Sequence, residues 1–165
     1  MKILIAIGGR EFSKPTLDLG MKIANSFKSS TTIAYVGKKI SQFSPEVVFH
    51  LAAQAIVSKS YEDPITTFNS NTIGTLNVLE SLRNVKKCRA VIITSDKSYK
   101  NLEINRGYFE NDILGGNDPY SGSKGATELV IRSYAESFFK KSDSNVRAAV
   151  GRAGNVIGGG DWAKY

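Results

Sequence analysis

Short apolar runs that alternate with longer amphipathic stretches are the feature of this sequence that most constrains its fold. Five runs have the length of a single strand, and they occupy residues 2–7, 31–37, 46–53, 90–95 and 145–154. The stretches between them carry apolar residues at helical spacing. Strands separated by helices require right-handed crossovers, which place the strands in a parallel sheet. The pattern therefore predicts an α/β fold, a doubly wound parallel sheet with helices on both faces.

Helices are predicted in three places from start signals and apolar spacing. Ser13 offers an N-cap and Pro15 suits a first turn, so one helix is expected to run to about Phe27. A second helical stretch carries Phe68, Ile73, Leu76, Leu79 and Leu82 on one face. A third, which begins near Tyr120, carries Ala126, Leu129, Val130, Tyr134 and Phe138.

Length and composition indicate one globular domain, residues 1–165. A chain of this length that is 41% hydrophobic can bury a core. No window is apolar enough to span a bilayer, and no signal-peptide cleavage pattern follows Met1. The lone Cys88 cannot form an internal disulfide, which suits a reducing compartment. We therefore expect a cytoplasmic protein with no membrane partner.

The basic balance of the chain does not by itself indicate a nucleic-acid partner. The formal net charge is +7, but the lysines lie in scattered pairs without interleaved aromatic residues, at Lys38-Lys39, Lys86-Lys87 and Lys140-Lys141. We interpret these pairs as solvated surface and expect no nucleic-acid binding.

Unusual residues follow three of the predicted strands. The segments are "HLAAQ", "TSDKSY" and "RAGNVIGGGDW", and each begins near the end of its strand. In a doubly wound sheet, ligands bind beyond the carboxyl ends of the strands. These segments are therefore expected to face one crevice.

Tyr120 and Lys124 are expected to face the same crevice. Residues four apart lie on one face of a helix, so the Lys124 ammonium can lie beside the Tyr120 phenol or a shared ligand. A nearby cation favours phenolate and would lower the phenol pKa, which would make the tyrosine a usable base. The pair alone is a weak signal, because a surface helix produces the same spacing by chance.

From about residue 43 to residue 162 the sequence resembles the extended short-chain dehydrogenase/reductase family, and within it the sugar-nucleotide 4,6-dehydratases that act on CDP-glucose. The similar stretches, in order, are "PEVVFHLAAQA", "SYEDPITTFNSNTIGTLNVLE", "VIITSDKSY", "ENDILGGNDPYSGSKGATELV" and "RAGNVIGGGDW". The resemblance implies a Rossmann-like sheet, a bound NAD and a nucleotide-sugar substrate. It implies no metal ion.

The resemblance also implies catalytic roles for particular residues. Tyr120 would take the proton of the sugar 4-hydroxyl while Lys124 holds the nicotinamide ribose. In the "SDK" segment, Asp96 would assist loss of the C6 hydroxyl, Lys97 would be the C5 base, and Ser95 would hydrogen-bond to the 4-oxygen. An ordinary turn ion pair is the alternative for Asp96 and Lys97.

Binding residues are implied in the same way. Those expected to contact NAD, besides Tyr120 and Lys124, are Ala52, Ala53, Gln54 and Thr94. Asn155 would contact the sugar nucleotide, with a turn residue as the alternative, and the alanines could instead serve sheet packing. His50 is expected to be structural, and the glycines at 158–160 a flexible substrate loop.

The two ends of the chain depart from the family pattern. The glycine-rich G-x-x-G-x-x-G turn that should follow the first strand is missing, and residues 1–40 are instead similar to the opening strand, helix and strand of a universal stress protein. Gly8 stands where stress proteins that bind ATP usually have aspartate. The C-terminal substrate lobe is also expected to be absent. We therefore expect a truncated Rossmann-like domain, residues 41–165 joined to a stress-protein-like 1–40, with weak activity or none.

Other functions remain open at this point. The chain could be a noncatalytic nucleotide-binding or stress-type module, or another NAD-dependent epimerase or reductase, although "SDK" favours the dehydratases. A homodimer through helices near 58–83 and 120–140 is also implied by the resemblance.

Overall fold

A computed structural model describes residues 2–6, 30–33, 40 and 43–156. Within these residues, strands form a single parallel sheet. They are β1 (Lys2–Ala6), β2 (Ser30–Ile33), β3 (Val47–His50), β4 (Cys88–Ser95) and β5 (Val146–Ala153). The spatial order is β2-β1-β3-β4-β5. The strand order reverses between β1 and β3, and in doubly wound sheets this switch point opens the crevice that binds ligands.

In the part of the chain that the structure describes, the helical elements with defined bounds lie between β3 and β4 and between β4 and β5. They comprise α1 (Val57–Glu62), α2 (Pro64–Phe68), a π-helical turn (Asn69–Ile73), α3 (Gly74–Leu82), a 3-10 helix (Asp96–Ser98), α4 (Pro119–Tyr134) and a second π-helical turn (Ala135–Phe139). Both α2 and α4 begin with an aspartate cap followed by proline, the residue whose fixed φ suits a first turn. Asp63 accepts a hydrogen bond from the Thr66 amide at 3.0 Å. The first turn of α2 is therefore fixed by local sequence.

The core lies between one face of the sheet and α3 and α4. Cys88, Ala90 and Ile92 alternate along β4 as fully buried residues, while Arg89 between them is exposed. They belong to a buried cluster that also includes Leu79, Leu82, Ile131, Phe139 and Val146. The period of two along β4 shows that its even-numbered residues face the helices.

The sheet confirms the prediction that the N-terminal segment pairs with the remaining strands. Ile3 pairs with both Thr31 and Val47, and Ala6 pairs with His50. Three predicted features lie outside the described residues. They are the helix expected to run to Phe27, the part of the second strand beyond Ile33, and the glycines at 158–160. In the part of the chain that the structure describes, no helix is long and apolar enough to cross a membrane.

Candidate active site

Helix α4 carries Tyr120, Lys124 and Glu128 on successive turns of one buried face. The Asp118 side chain caps the helix by accepting from the Ser121 amide at 2.9 Å. The three side chains are only 8%, 5% and 5% exposed, respectively. Polar residues rarely fill the inner face of a helix unless they are hydrogen-bonded or bind a ligand. This face is therefore the first candidate for function.

The Tyr120 phenol lies beside the turn that ends β4. Desolvation raises the pKa of Tyr120, interaction with the Ser95 hydroxyl lowers it, and the charge of Asp96 raises it. The net shift is upward. This corrects the expectation of a lowered phenol pKa, because the cost of burying a phenolate is the largest influence on Tyr120.

Lys124 is a buried cation. Its Nζ lies 5.9 Å from the centroid of the Tyr120 ring, and burial lowers its pKa from 10.5 to about 8. The described residues provide its ammonium with no hydrogen bond or ion pair. Among the described residues only His50 Nδ1 is a fully buried polar atom without a partner, so the Lys124 Nζ reaches the surface, where it can donate to a ligand oxygen.

The turn after β4 is a short 3-10 helix, Asp96–Ser98, and Ser95, the last residue of β4, caps it. The Ser95 Oγ donates to Asp96 Oδ1 at 3.1 Å and accepts from the Lys97 amide at 3.2 Å. Asp96 and Lys97 are exposed, whereas Ser98 is fully buried. The end of β5 also reaches this turn, because a Cβ added at Gly154 would lie 3.7 Å from Asp96 Oδ2.

Among the other predicted binding residues, Ala52, Ala53 and Gln54 lie in the partly buried turn after β3. The Gln54 amide donates to Asn71 Oδ1 at 2.7 Å. Asn71 Nδ2 in turn donates to the Gln54 carbonyl at 3.1 Å and to Ser123 Oγ at 2.9 Å. Asn71 therefore joins the turn after β3 to the helix that carries Tyr120.

Thr94 and Asn155 have different surroundings. The Thr94 hydroxyl is buried and donates to Glu128 Oε1 at 2.7 Å. Asn155 is exposed and follows Gly154, which is next to Asp96. The binding roles of both residues remain predictions.

His50, at the carboxyl end of β3, is buried and neutral. The Thr75 hydroxyl donates its single proton to the Asn71 carbonyl at 2.7 Å, so His50 Nε2, 3.1 Å from the same oxygen, must be the donor. The other ring nitrogen, Nδ1, then carries a lone pair and has no partner among the described residues. Burial, followed by the charge of Lys124, lowers the pKa of His50 to about 4.

Glu128, Arg152, Asn71 and Ser123 are site residues that sequence reasoning missed. A signal for Glu128 was present, since it continues the four-residue spacing of Tyr120 and Lys124 along one face. Arg152 and Asn71 act through contacts between distant segments, and no local pattern reveals such contacts. Among the described residues, no group of three or more His, Cys, Asp or Glu could hold a metal ion.

The fold and this site define a doubly wound α/β protein whose buried tyrosine and lysine lie beside a polar strand end. A family model described as GDP-mannose 4,6 dehydratase matches residues 31–149. The chain therefore belongs to the extended short-chain dehydrogenase/reductase family.

Among the known proteins similar to this chain are one similar in sequence and two similar in fold. CDP-glucose 4,6-dehydratase of Salmonella typhimurium is 52% identical over 129 residues, which are 76% of this chain and 36% of that protein. A solved structure of MoeE5 in complex with UDP-glucose and NAD has a TM-score of 0.71 at 18% identity, over 92% of this chain and 54% of that one. DesIV, a dTDP-glucose 4,6-dehydratase from Streptomyces venezuelae with NAD and TYD bound, has a TM-score of 0.67 at 18% identity, over 91% and 55%. The chain thus spans about a third to a half of the length of these proteins.

Proposed function

We propose that this chain carries the catalytic core of an NAD-dependent sugar-nucleotide 4,6-dehydratase whose substrate is CDP-glucose. The observation that carries the proposal is the buried Tyr120 and Lys124 pair beside the Ser95-Asp96-Lys97 turn. The similarity to the Salmonella enzyme supports the choice of substrate.

The residues around the pair fit a dinucleotide. The Lys124 ammonium lacks a partner among the described residues and can bind a ribose hydroxyl. Ala52 and Ala53, half-buried in the turn after β3, have small side chains that let a dinucleotide approach the backbone where the strand order reverses. When bound there, NAD would supply the hydride acceptor and donor of the reaction.

The chain's own residues would move the protons. Tyr120 takes the proton of the 4-hydroxyl as C4 is oxidised to a ketone, while Ser95 donates a hydrogen bond to the 4-oxygen. The ketone acidifies C5, and Lys97 takes the C5 proton as Asp96 protonates the C6 hydroxyl, which leaves as water. A bound NAD would supply the hydride that C6 gains, and Lys97, which holds the C5 proton, would return it to give the 4-keto-6-deoxy sugar.

The ligand-free pKa values suit the resting state of this cycle. The raised pKa of Tyr120 keeps the phenol protonated, and the lowered pKa of Lys124 results from the cost of burying its charge. A ligand hydroxyl on Lys124 would stabilise the ammonium, and the ammonium would then favour phenolate. Cofactor binding would thus activate the base.

The test measures NAD affinity and product formation separately. By calorimetry we expect Lys124→Met to weaken NAD binding at least about tenfold, since a buried charged hydrogen bond is lost. We expect Tyr120→Phe to retain NAD affinity and to abolish formation of the 4-keto-6-deoxy product from CDP-glucose. Wild-type affinity in Lys124→Met, or product formation in Tyr120→Phe, contradicts the proposal. An epimerase would instead yield a sugar that retains its C6 hydroxyl.

We also propose a cytoplasmic homodimer that pairs through the helices near 58–83 and 120–140. Large apolar side chains are exposed there, namely Tyr61, Ile65, Phe68, Ile73 and Leu129. Phe68 lies against Gly122, so α2 and α4 approach closely. An exposed apolar stripe on adjacent helices is typical of a subunit interface. Light scattering should show a dimer for the wild type and a monomer for Ile65→Glu.

A further inference from the structure

We infer that Glu128, held by Arg152, is a positioning residue that fixes the Ser95-Asp96-Lys97 turn against the Tyr120 phenol. The inference deepens the proposed function and rests on it for the meaning of the turn. The contacts themselves join four segments of the chain: β4, the turn after it, α4 and β5.

One carboxylate oxygen of Glu128 accepts hydrogen bonds from residues on both sides of the Ser95-Asp96-Lys97 turn. Glu128 Oε1 accepts from Thr94 Oγ1 at 2.7 Å and from Ser98 Oγ at 3.0 Å. Ser98 Oγ also lies 2.6 Å from the Ser95 carbonyl, so its single proton is shared between that carbonyl and Glu128 Oε1. Thr94 immediately precedes Ser95, and Ser98 immediately follows Lys97. The catalytic turn is therefore fastened at both ends to a single side chain of α4.

Arg152 holds that carboxylate in place. Its Nε donates to Glu128 Oε1 at 2.7 Å, and its Nη2 donates to Oε2. The guanidinium also stacks 4.5 Å from the centroid of the Tyr99 ring and donates to the Glu110 carbonyl at 3.2 Å. A two-pronged arginine contact fixes the orientation of the carboxylate plane as well as its position.

The electrostatics keep Glu128 ionised, so that both of its oxygens can only accept. Desolvation acts to raise its pKa, but the hydrogen bonds from Arg152, Thr94 and Ser98 together outweigh it and leave the pKa below its ordinary value. The side chain is buried and its oxygens are already bonded, so it is not itself placed to touch substrate. Its effect reaches the reaction through the position of Ser95.

The readout is the titration of the Tyr120 phenol, which requires neither cofactor nor turnover. The chain has seven tyrosines, which can be labelled with ¹³C at the ring carbon bonded to oxygen, and Tyr120→Phe assigns the signal. Interaction with Ser95 lowers the phenol pKa, so Ser95→Ala should raise it. We expect Glu128→Gln to raise it as well. The double variant should show no more than the larger single shift, since both changes remove the same contact.

Glu80→Gln is the matched control. Glu80 also accepts from an arginine, Arg83, and from a hydroxyl, that of Tyr134 at 2.8 Å, but on the exposed surface. We expect Glu80→Gln to change the pKa of the Tyr134 phenol and to leave the pKa of the Tyr120 phenol unchanged. If Glu128→Gln does not fold, Thr94→Val, which removes one of the hydrogen bonds, should give a smaller shift of the same sign.

An unchanged Tyr120 titration in a folded Glu128→Gln or Thr94→Val chain overturns the inference. Additive shifts in the double variant with Ser95→Ala also overturn it. Failure of the chain to bind NAD or to form product would contradict the proposed function and leave this titration as it is.

Discussion

The two halves of β4 and α4 differ sharply in what they bury. Toward one end, Cys88 and Ile92 of the strand pack near Ile131 of the helix in an apolar cluster. Toward the other end, the same two elements bury Ser95, Lys124 and other polar groups. The apolar half gains stability from burial, whereas the polar half spends part of that stability to hold chemically useful groups. Within this one pair of elements, the apolar half stabilises the fold and the polar half holds the candidate site.

The largest change in stability is expected from a substitution in the apolar cluster, to which Leu79 of α3 also belongs. Leu79 is fully buried, so Leu79→Ala should lower the free energy of unfolding by about 2–5 kcal/mol through lost burial and a residual cavity. Urea denaturation followed by circular dichroism measures it. Ile113→Ala is the control, since Ile113 is 61% exposed and lies outside the proposed dimer interface, so its loss should change stability by less than about 0.5 kcal/mol. Similar losses at both positions would contradict this assignment of the core.

Substitution of Lys124 is expected to stabilise the folded chain, in contrast to substitution of Leu79. Its folded pKa of about 8 lies below the ordinary value of 10.5, so below pH 8 the folded chain carries the full cost of the buried charge. Lys124→Met should therefore raise the free energy of unfolding at pH 7 by on the order of 3 kcal/mol. The gain should shrink as pH rises from 8 to 10.5 and then vanish. A destabilised Lys124→Met chain at pH 7 would show that the ammonium has a stabilising partner in the ligand-free protein.

A smaller effect is expected from His50 under acidic conditions. Its folded pKa of about 4 lies below 6.5, so between these values the unfolded chain binds the extra proton. Stability should fall as pH falls through this window, by about 2 kcal/mol at pH 5 relative to neutral pH. His50→Gln keeps a donor toward Thr75 and removes the titration. Equal pH dependence of unfolding in the wild type and His50→Gln would exclude His50 as the source.

Sequence reasoning was strongest where a property is local. Strand runs, the start of α4 and the four-residue spacing of Tyr120 and Lys124 depend on neighbouring residues, and the structure confirms the elements. The insertion of β1 between β2 and β3 agrees with the predicted doubly wound sheet, but the strand register could not be predicted, because alternation of elements does not specify which residues pair. The phenol pKa was predicted with the wrong sign, because the desolvation that decides it depends on tertiary packing. Glu128 and Arg152 meet only in the folded chain.

The position of β1 between β2 and β3 has a consequence for how the chain folds. Its Ala6 pairs with His50, and further along Cys88 pairs with Val146, so every described strand pairing joins segments far apart in sequence. Domains dominated by such contacts fold slowly, because loop-closure entropy must be lost before the pairing stabilises the chain. During synthesis, β1 must wait for β3 to leave the ribosome before both of its edges are paired. Until then one edge of β1 lacks its neighbour, and an unpaired strand edge makes a partly folded chain prone to aggregation.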